Sequence, residues 1–196
     1  IDKGEFYFFK TKKKKLKTSD LLSESLPRII GDFKWKKSMK WGSFELSWGR
    51  PLKSILCVLD KKVVNFKLFH LKSSNLTFID KDFEEKKKTF NDYDSYQKYF
   101  LKIGTILDQE KRKNLIQKNI EKILKKKNLK IEYNEKLLDE VTNLVDQPQI
   151  LECTFDKKFL SIPMEILILT MQTHQKYFPL FTKKNEITNE FIVIAN

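Results

Sequence analysis

Lys37, Lys40 and Arg50 flank Trp35, Trp41 and Trp48 within one short stretch. Cations interleaved with aromatic rings can grip a nucleic-acid backbone while the rings stack on bases. The same pattern also suits a loop pinned by Trp side chains packing on a sheet, and the sequence leaves both readings open. A second set is His174-Gln175-Lys176-Tyr177-Phe178. Its base, amide, cation and ring could hold an RNA backbone or stack an unpaired base. His174, however, follows a helix end, where a cation is favoured without any ligand. Tyr177 and Phe178 open an apolar run that reads as a core strand. The candidate nucleic-acid contacts are therefore Lys37, Lys40, Arg50, His174, Lys176 and Tyr177, and the second three have the simpler structural account.

Catalytic chemistry has little support. No GxGxxG or GxxxxGK[ST] phrase is present, so the common phosphate-cradling loops are missing. His70 and His174 are the only histidines, and neither has a partner at a metal-ligand spacing. No GxSxG elbow supports a serine nucleophile. Cys57 and Cys153 lie far apart inside apolar runs, which suits buried free thiols in a reducing cytoplasm. The expectation is no catalytic residue, no metal ligand and no cofactor held by these 196 residues. No apolar run approaches the ~20 residues of a membrane span.

The net charge of +13 invites a nucleic-acid partner. A blander origin competes with that reading. Of the 39 basic residues only Arg28, Arg50 and Arg112 are arginine, and Ala195 is the only alanine. Lys, Asn, Ile and Phe are abundant, as in a genome drifted toward A and T. Recognition surfaces favour the planar fork of Arg, so part of the charge reads as mutational bias on solvated faces.

The elements that must position these residues are legible in pieces. Glu5 to Lys10 reads as an aromatic strand, and Lys12 to Lys15 as an exposed tip. Thr18-Ser19-Asp20 offers caps for a helix through Leu21, Leu22 and Leu26 that Pro27 breaks or restarts on the way to Gly31. Phe33 to Gly42 reads as a loop and the alternating Phe44 to Trp48 as a strand. Ser54–Leu59 and Val63–Phe69 form a hairpin around Asp60-Lys61-Lys62. Lys72 to Asn91 is polar and gives no assignment. Asp92 or Asp94 caps a helix closed by Gly104, and Asp108 caps the clearest helix, with Leu115, Ile116, Ile120, Ile123 and Leu124 on one face. Asn134 caps a further helix that stops before Pro148. Gln149 to Phe155 is a strand, Asp156 starts a helical turn, and a helix runs from Pro163 to about Thr173. Tyr177–Phe181 and Glu190–Ala195 pair as closing strands. The fold class is α+β, antiparallel strands interleaved with helices. It reads as one region over 1–196, or as two subdomains divided near 91–108. Ile1 in place of Met, and an end inside the apolar run Phe191 to Asn196, read as a piece of a longer polypeptide.

Several phrases in order resemble one family. Lys37-Ser38-Met39-Lys40-Trp41-Gly42 resembles KSMRWG, and Arg50-Pro51 the RP that follows it. Ile106-Leu107-Asp108 with Arg112 resembles VI-D-x-x-x-R. Leu138 to Pro148 resembles LLEEVTNLVEWP, and Phe155 to Pro163 resembles FDEEFLELP. Met171 to Pro179 resembles MREHQKYFP, and Phe191 to Asn196 resembles FIAVAN. The family is the beta subunit of the bacterial two-subunit glycyl-tRNA synthetase. Two departures stand out: Ser54 stands where Trp is common, and Thr77-Phe78-Ile79-Asp80 lacks the Gly, His and Arg of a T-x-GHRF phrase.

The resemblance implies a translation enzyme of the cytoplasm that joins glycine to its tRNA using ATP and Mg²⁺. It implies a catalytic core on a separate alpha subunit, an α2β2 heterotetramer, and an anticodon-binding domain beyond residue 196. On that footing the chain is a non-catalytic body region that scaffolds the beta subunit and helps dock glycine tRNA. By fold-level analogy it resembles a B3/B4-type module of the phenylalanyl enzyme's beta subunit. A stand-alone RNA-binding module and an editing-type hydrolase are the alternatives. A flat basic face would favour docking, and a deep pocket with convergent polar groups would favour editing.

Overall fold

The computed structural model describes residues 5, 7, 9, 15–79 and 86–196, so all but Lys15 of the expected tip at Lys12–Lys15 and most of the strand expected at Glu5–Lys10 lie outside the described residues. The chain forms two compact units, Ile1–Tyr96 and Gln97–Asn196. The fold is α+β.

The first unit opens with helix α1, Thr18–Gly31, which runs without interruption through Pro27. Proline removes one backbone donor and with it one bond to the carbonyl four residues back. None of this helix's residues is fully buried, so the freed carbonyl can be satisfied by water. Lys17 precedes the helix, and the expected side-chain cap is not made. Short strands follow: β1 Ile55–Leu56, β2 Val58–Leu59, β3 Lys62–Val63, β4 Lys67–Leu68, β5 Leu71–Ser74, β6 Leu76–Phe78 and β7 Lys87–Thr89.

The expected hairpin is β2–β3, pairing Val58 with Val63. Its two turn residues, Asp60 and Lys61, both adopt left-handed φ (48° and 63°), which matches the twist of the flanking strands. The hairpin strands are shorter than expected, because the pairing changes at Cys57. The β1 strand runs parallel to β5, and β5 in turn pairs antiparallel with β4. Strands β5, β6 and β7 fill the stretch that polarity left unassigned. Ser73 is buried there, and its hydroxyl donates to the Val64 carbonyl (2.7 Å) while accepting the Phe66 N–H (2.8 Å). Phe44–Trp48, expected as a strand, forms only a single antiparallel bridge, Met39 to Trp48.

Helix α2, Tyr93–Lys102, spans the division between the units. Asp92 caps it by accepting the Ser95 N–H at 2.8 Å, and Gly104 follows it at φ +88°. The second unit contains α3 Gln109–Lys127, β8 Lys130–Ile131, α4 Glu135–Leu144, β9 Gln149–Thr154, a 3-10 turn Lys157–Ser161, α5 Met164–Leu169, a π-helical turn Thr170–Gln175, β10 Phe178–Phe181 and β11 Ile187–Ala195. Its sheet has the order β8-β10-β11-β9, all antiparallel. Ile116 and Ile120 of α3 meet Leu137, Leu138 and Val141 of α4 and Phe178, Leu180 and Ile192 of the sheet.

Asp108 accepts the Lys111 N–H and Asn134 the Leu137 N–H, both at 3.0 Å. Each satisfies an amide that the helix start leaves without a partner. Asp108→Ala or Asn134→Ala should each lower stability by about 1 kcal/mol in urea titrations. A double variant should show additive losses, the two caps serving different helices.

Candidate nucleic-acid interface

The six candidate residues divide three to each unit. In the first unit the chain leaves α1, runs through the loop 33–51 and doubles back on itself. The Met39–Trp48 bridge (N–O 2.8 and 3.1 Å) and a Ser47–Ser38 hydroxyl bond (2.8 Å) lay its two arms side by side. That brings the segment with Lys37 and Lys40 alongside the segment ending in Arg50. All three side chains are exposed.

Aromatic contacts hold the loop. Trp35 and Trp48 meet at 5.0 Å between ring centroids, and Phe33 lies 5.7 Å from Trp48. Gly49 lies against the Trp35 ring, where a Cβ would sit in ordinary contact at 3.6 Å. Trp41 and Phe44 bracket His70, which lies in the turn between β4 and β5. Phe44 is stacked on the imidazole at 3.6 Å and 11°, and Trp41 meets it edge-on at 5.8 Å. The tryptophans thus brace the loop, and the cations between them stay on the outside.

In the second unit Lys176 ends the π-helical turn at φ 61° and its ammonium sits 2.9 Å from the Glu140 carboxylate. Tyr177 stacks on Phe191 at 4.9 Å, and its N–H donates to the Met171 carbonyl. His174 is exposed. The helix expected to run from Pro163 to Thr173 is α-helical only to Leu169 and then widens into the π turn.

Carboxylates engage three lysines of the second unit, Lys113, Lys127 and Lys176. Lys113 sits between Glu135 and Asp139 (2.7 Å to Asp139), and hydrogen bonds to Asp139 and then Glu135 raise its pKa. Glu135 is in turn held below the usual carboxylate range by Lys113 and then Tyr133. Lys127 joins Glu190 and Glu152, and those bonds raise its pKa too. By contrast, no hydrogen bond or ion pair engages Lys37, Lys40 or Arg50 among the described residues. Lys34 and Lys36, which were not singled out from the sequence, share this exposed, unpaired state.

A cleft of about 560 Å³ in the second unit is lined by Ile106, Leu115, Lys122, Gln147 and Ile150, among others. The Gln147 amide is already committed to the Ile103 carbonyl and the Thr105 hydroxyl. No group of three His, Cys, Asp or Glu that could hold a metal occurs among the described residues. Cys57 and Cys153 are free and half-buried rather than fully buried, and burial pushes the Cys57 thiol up. No helix of the described residues is long and apolar enough to cross a membrane.

The family model of the glycyl-tRNA synthetase beta subunit matches residues 1–196. The chain belongs to that family. It is 33% identical over 196 residues to the glycine–tRNA ligase beta subunit of Rickettsia akari (strain Hartford), covering 100% of this chain and 30% of that protein. To that of Rickettsia prowazekii (strain Madrid E) it is 33% identical over 191 residues, covering 97% of this chain and 29% of the relative. The chain therefore spans about 30% of the length of the curated relatives it matches.

Within this glycyl-tRNA synthetase beta-subunit chain, the two departures from the family phrases lie together. The Ser54 hydroxyl is 3.4 Å from that of Thr77, which opens the phrase lacking Gly, His and Arg. A small side chain thus faces Thr77. Phe33, Phe44 and His70 are the members of the aromatic set that sequence reasoning missed. Phe33 and Phe44 lie within the same stretch as the tryptophans, and that proximity was the available signal. His70 had none, since it joins only through the β4–β5 turn.

Proposed function

We propose that this chain is a body region of a glycine–tRNA ligase beta subunit, without an active site of its own, that scaffolds the subunit and docks glycine tRNA. Catalysis in this reading belongs to an alpha subunit, with glycine, ATP and Mg²⁺ bound there, in an α2β2 enzyme of the cytoplasm. One observation carries the docking role. Lys37, Lys40 and Arg50 stand exposed and uncompensated on a loop braced by aromatic contacts, while Lys113, Lys127 and Lys176 are engaged by carboxylates. A cation without an internal acid keeps its full attraction for phosphate, and a braced loop loses less entropy on binding. Lys176 and Tyr177 already have internal partners, and of the second set His174 is the group left to reach RNA.

The test uses the whole synthetase, alpha with full-length beta. Replacing Lys37, Lys40 and Arg50 together with Glu should weaken glycine tRNA binding by about tenfold or more at moderate salt. The slope of log affinity against log salt should fall by about 2, as expected when three phosphate contacts are lost. Unchanged affinity in a folded variant would overturn the docking role.

A further inference from the structure

The loop's aromatic residues are more exposed than bracing requires. Phe44 stacks one face on His70 yet keeps 40% of its surface open to solvent. Phe69, next to His70 in the β4–β5 turn, is 56% exposed. Its φ is +52°, a left-handed conformation that bulky side chains rarely adopt and that Gly or Asn would take at lower cost. A two-residue hairpin turn takes a positive φ at its first residue, so the pairing of Leu68 with Leu71 enforces this conformation and sets Phe69 at the tip of the turn. The Trp41–Phe44 turn beside them closes through a Phe44 N–H to Trp41 carbonyl bond (3.2 Å) with Gly42 at φ +56°. Lys40 immediately precedes that turn, and its ammonium is unpaired.

We infer that Phe44, stacked on His70, with the exposed Phe69 next to His70 and Lys40 just before the Trp41–Phe44 turn, is a stacking platform for an unpaired nucleotide, so that this loop takes single-stranded rather than duplex RNA. The reading rests on the docking role proposed above and narrows its ligand. The exposed part of Phe44 offers a base a ring already held parallel to an imidazole, so the platform is set before the base arrives. Lys40, exposed and four residues before Phe44 in the chain, supplies the cation for the flanking phosphate. A duplex keeps its bases stacked inside and cannot offer one to a ring without paying to unpair it. Stacking on an exposed aromatic is tolerant of base identity, so the platform selects for strandedness and not for sequence.

The experiment is photocrosslinking on the whole synthetase with a short oligonucleotide of 4-thiouridine, against a duplex of the same length. Crosslinks are mapped by mass spectrometry to the tryptic peptides 41–53 and 68–72, which hold Phe44, Phe69 and His70. The single strand should mark these peptides and the duplex should not. Phe44→Leu, which keeps a side chain of similar bulk, should cut that crosslink about tenfold without changing its salt dependence, and Phe44→Trp should restore it. Circular dichroism checks that each variant is folded. Equal yields from Phe44→Leu and the parent, or equal marking by the duplex, would overturn the platform. So would a Phe44→Leu variant whose only defect is weaker association between subunits. If the Lys37, Lys40 and Arg50 variant loses tRNA while Phe44→Leu crosslinks normally, docking stands and the platform fails. If Phe44→Leu loses the crosslink while the charge variant binds tRNA normally, the platform stands and the three-cation docking fails.

Discussion

Ile192→Ala should destabilise the second unit by about 3–4 kcal/mol. Ile192 is 0% exposed and lies in the interior of β11, opposite Phe178 on one side and Glu152 on the other. It belongs to the cluster with Ile116, Leu138 and Leu180. Truncation removes three carbons' worth of contact and leaves a cavity between a sheet and two helices. Strands paired on both sides cannot move in to fill it, so the cavity cost adds to the lost transfer energy. Leu151 on the edge strand β9 is the matched control. It is 45% exposed, and its truncation should cost under about 1 kcal/mol. Urea titration followed by circular dichroism at the helical band gives both numbers. Equal losses at the two positions would mean that the sheet face toward α3 and α4 is not the core of this unit.

That core was the most legible part of the fold, for a physical reason. In α3 and α4 the apolar residues recur at helical spacing behind a side chain able to cap, so periodicity and cap chemistry agree. Strand β10 and the Phe191–Ala195 part of β11 are apolar runs, which again need no distant partner to be recognised. The first unit lacks this agreement between levels. Strands β5 to β7 are short and mix Leu71, Leu76 and Phe78 with Lys, Ser and Thr, and β5 is held by Ser73 hydrogen bonds to Val64 and Phe66 that composition does not reveal. Phe44 to Trp48 alternates as a strand should, yet its rings are taken by His70, Trp35 and Phe33 and its backbone makes only one bridge. Alternation predicts which residues can share a face and cannot say whether another strand lies beside them. The candidate interface follows the same rule. Lys37, Lys40 and Arg50 were visible as neighbours of tryptophans. The stack with His70 was not, because it depends on where the β4–β5 turn folds back.

Arg112→Ala should cost about 3 kcal/mol, and Arg112→Lys should recover only part of that. Arg112 Nη1 donates to the carbonyls of Ile106 (2.5 Å) and Leu107 (3.1 Å), and Nε donates to that of Thr142 (3.2 Å). One guanidinium thus ties the extended step before α3 to the last turn of α4, where the free carbonyls and the helix dipole favour a cation. The Ile106 N–H is bonded to the Asp146 carbonyl at 2.8 Å, so the same step is held from the far side of α4 as well. Removing the side chain leaves three part-buried acceptors to find water or go unpaired. Lysine carries the charge but not the fixed fork, and its single ammonium cannot reach three acceptors spread around a guanidinium plane. In a chain whose cations are overwhelmingly lysine, an arginine here answers to geometry more than to charge. Hydrogen exchange should show faster opening at Ile106 and at residues 142–147 in both variants, more so in the alanine one. If Arg112→Lys matches the parent in urea and in exchange, charge alone holds this strap and the fork is dispensable.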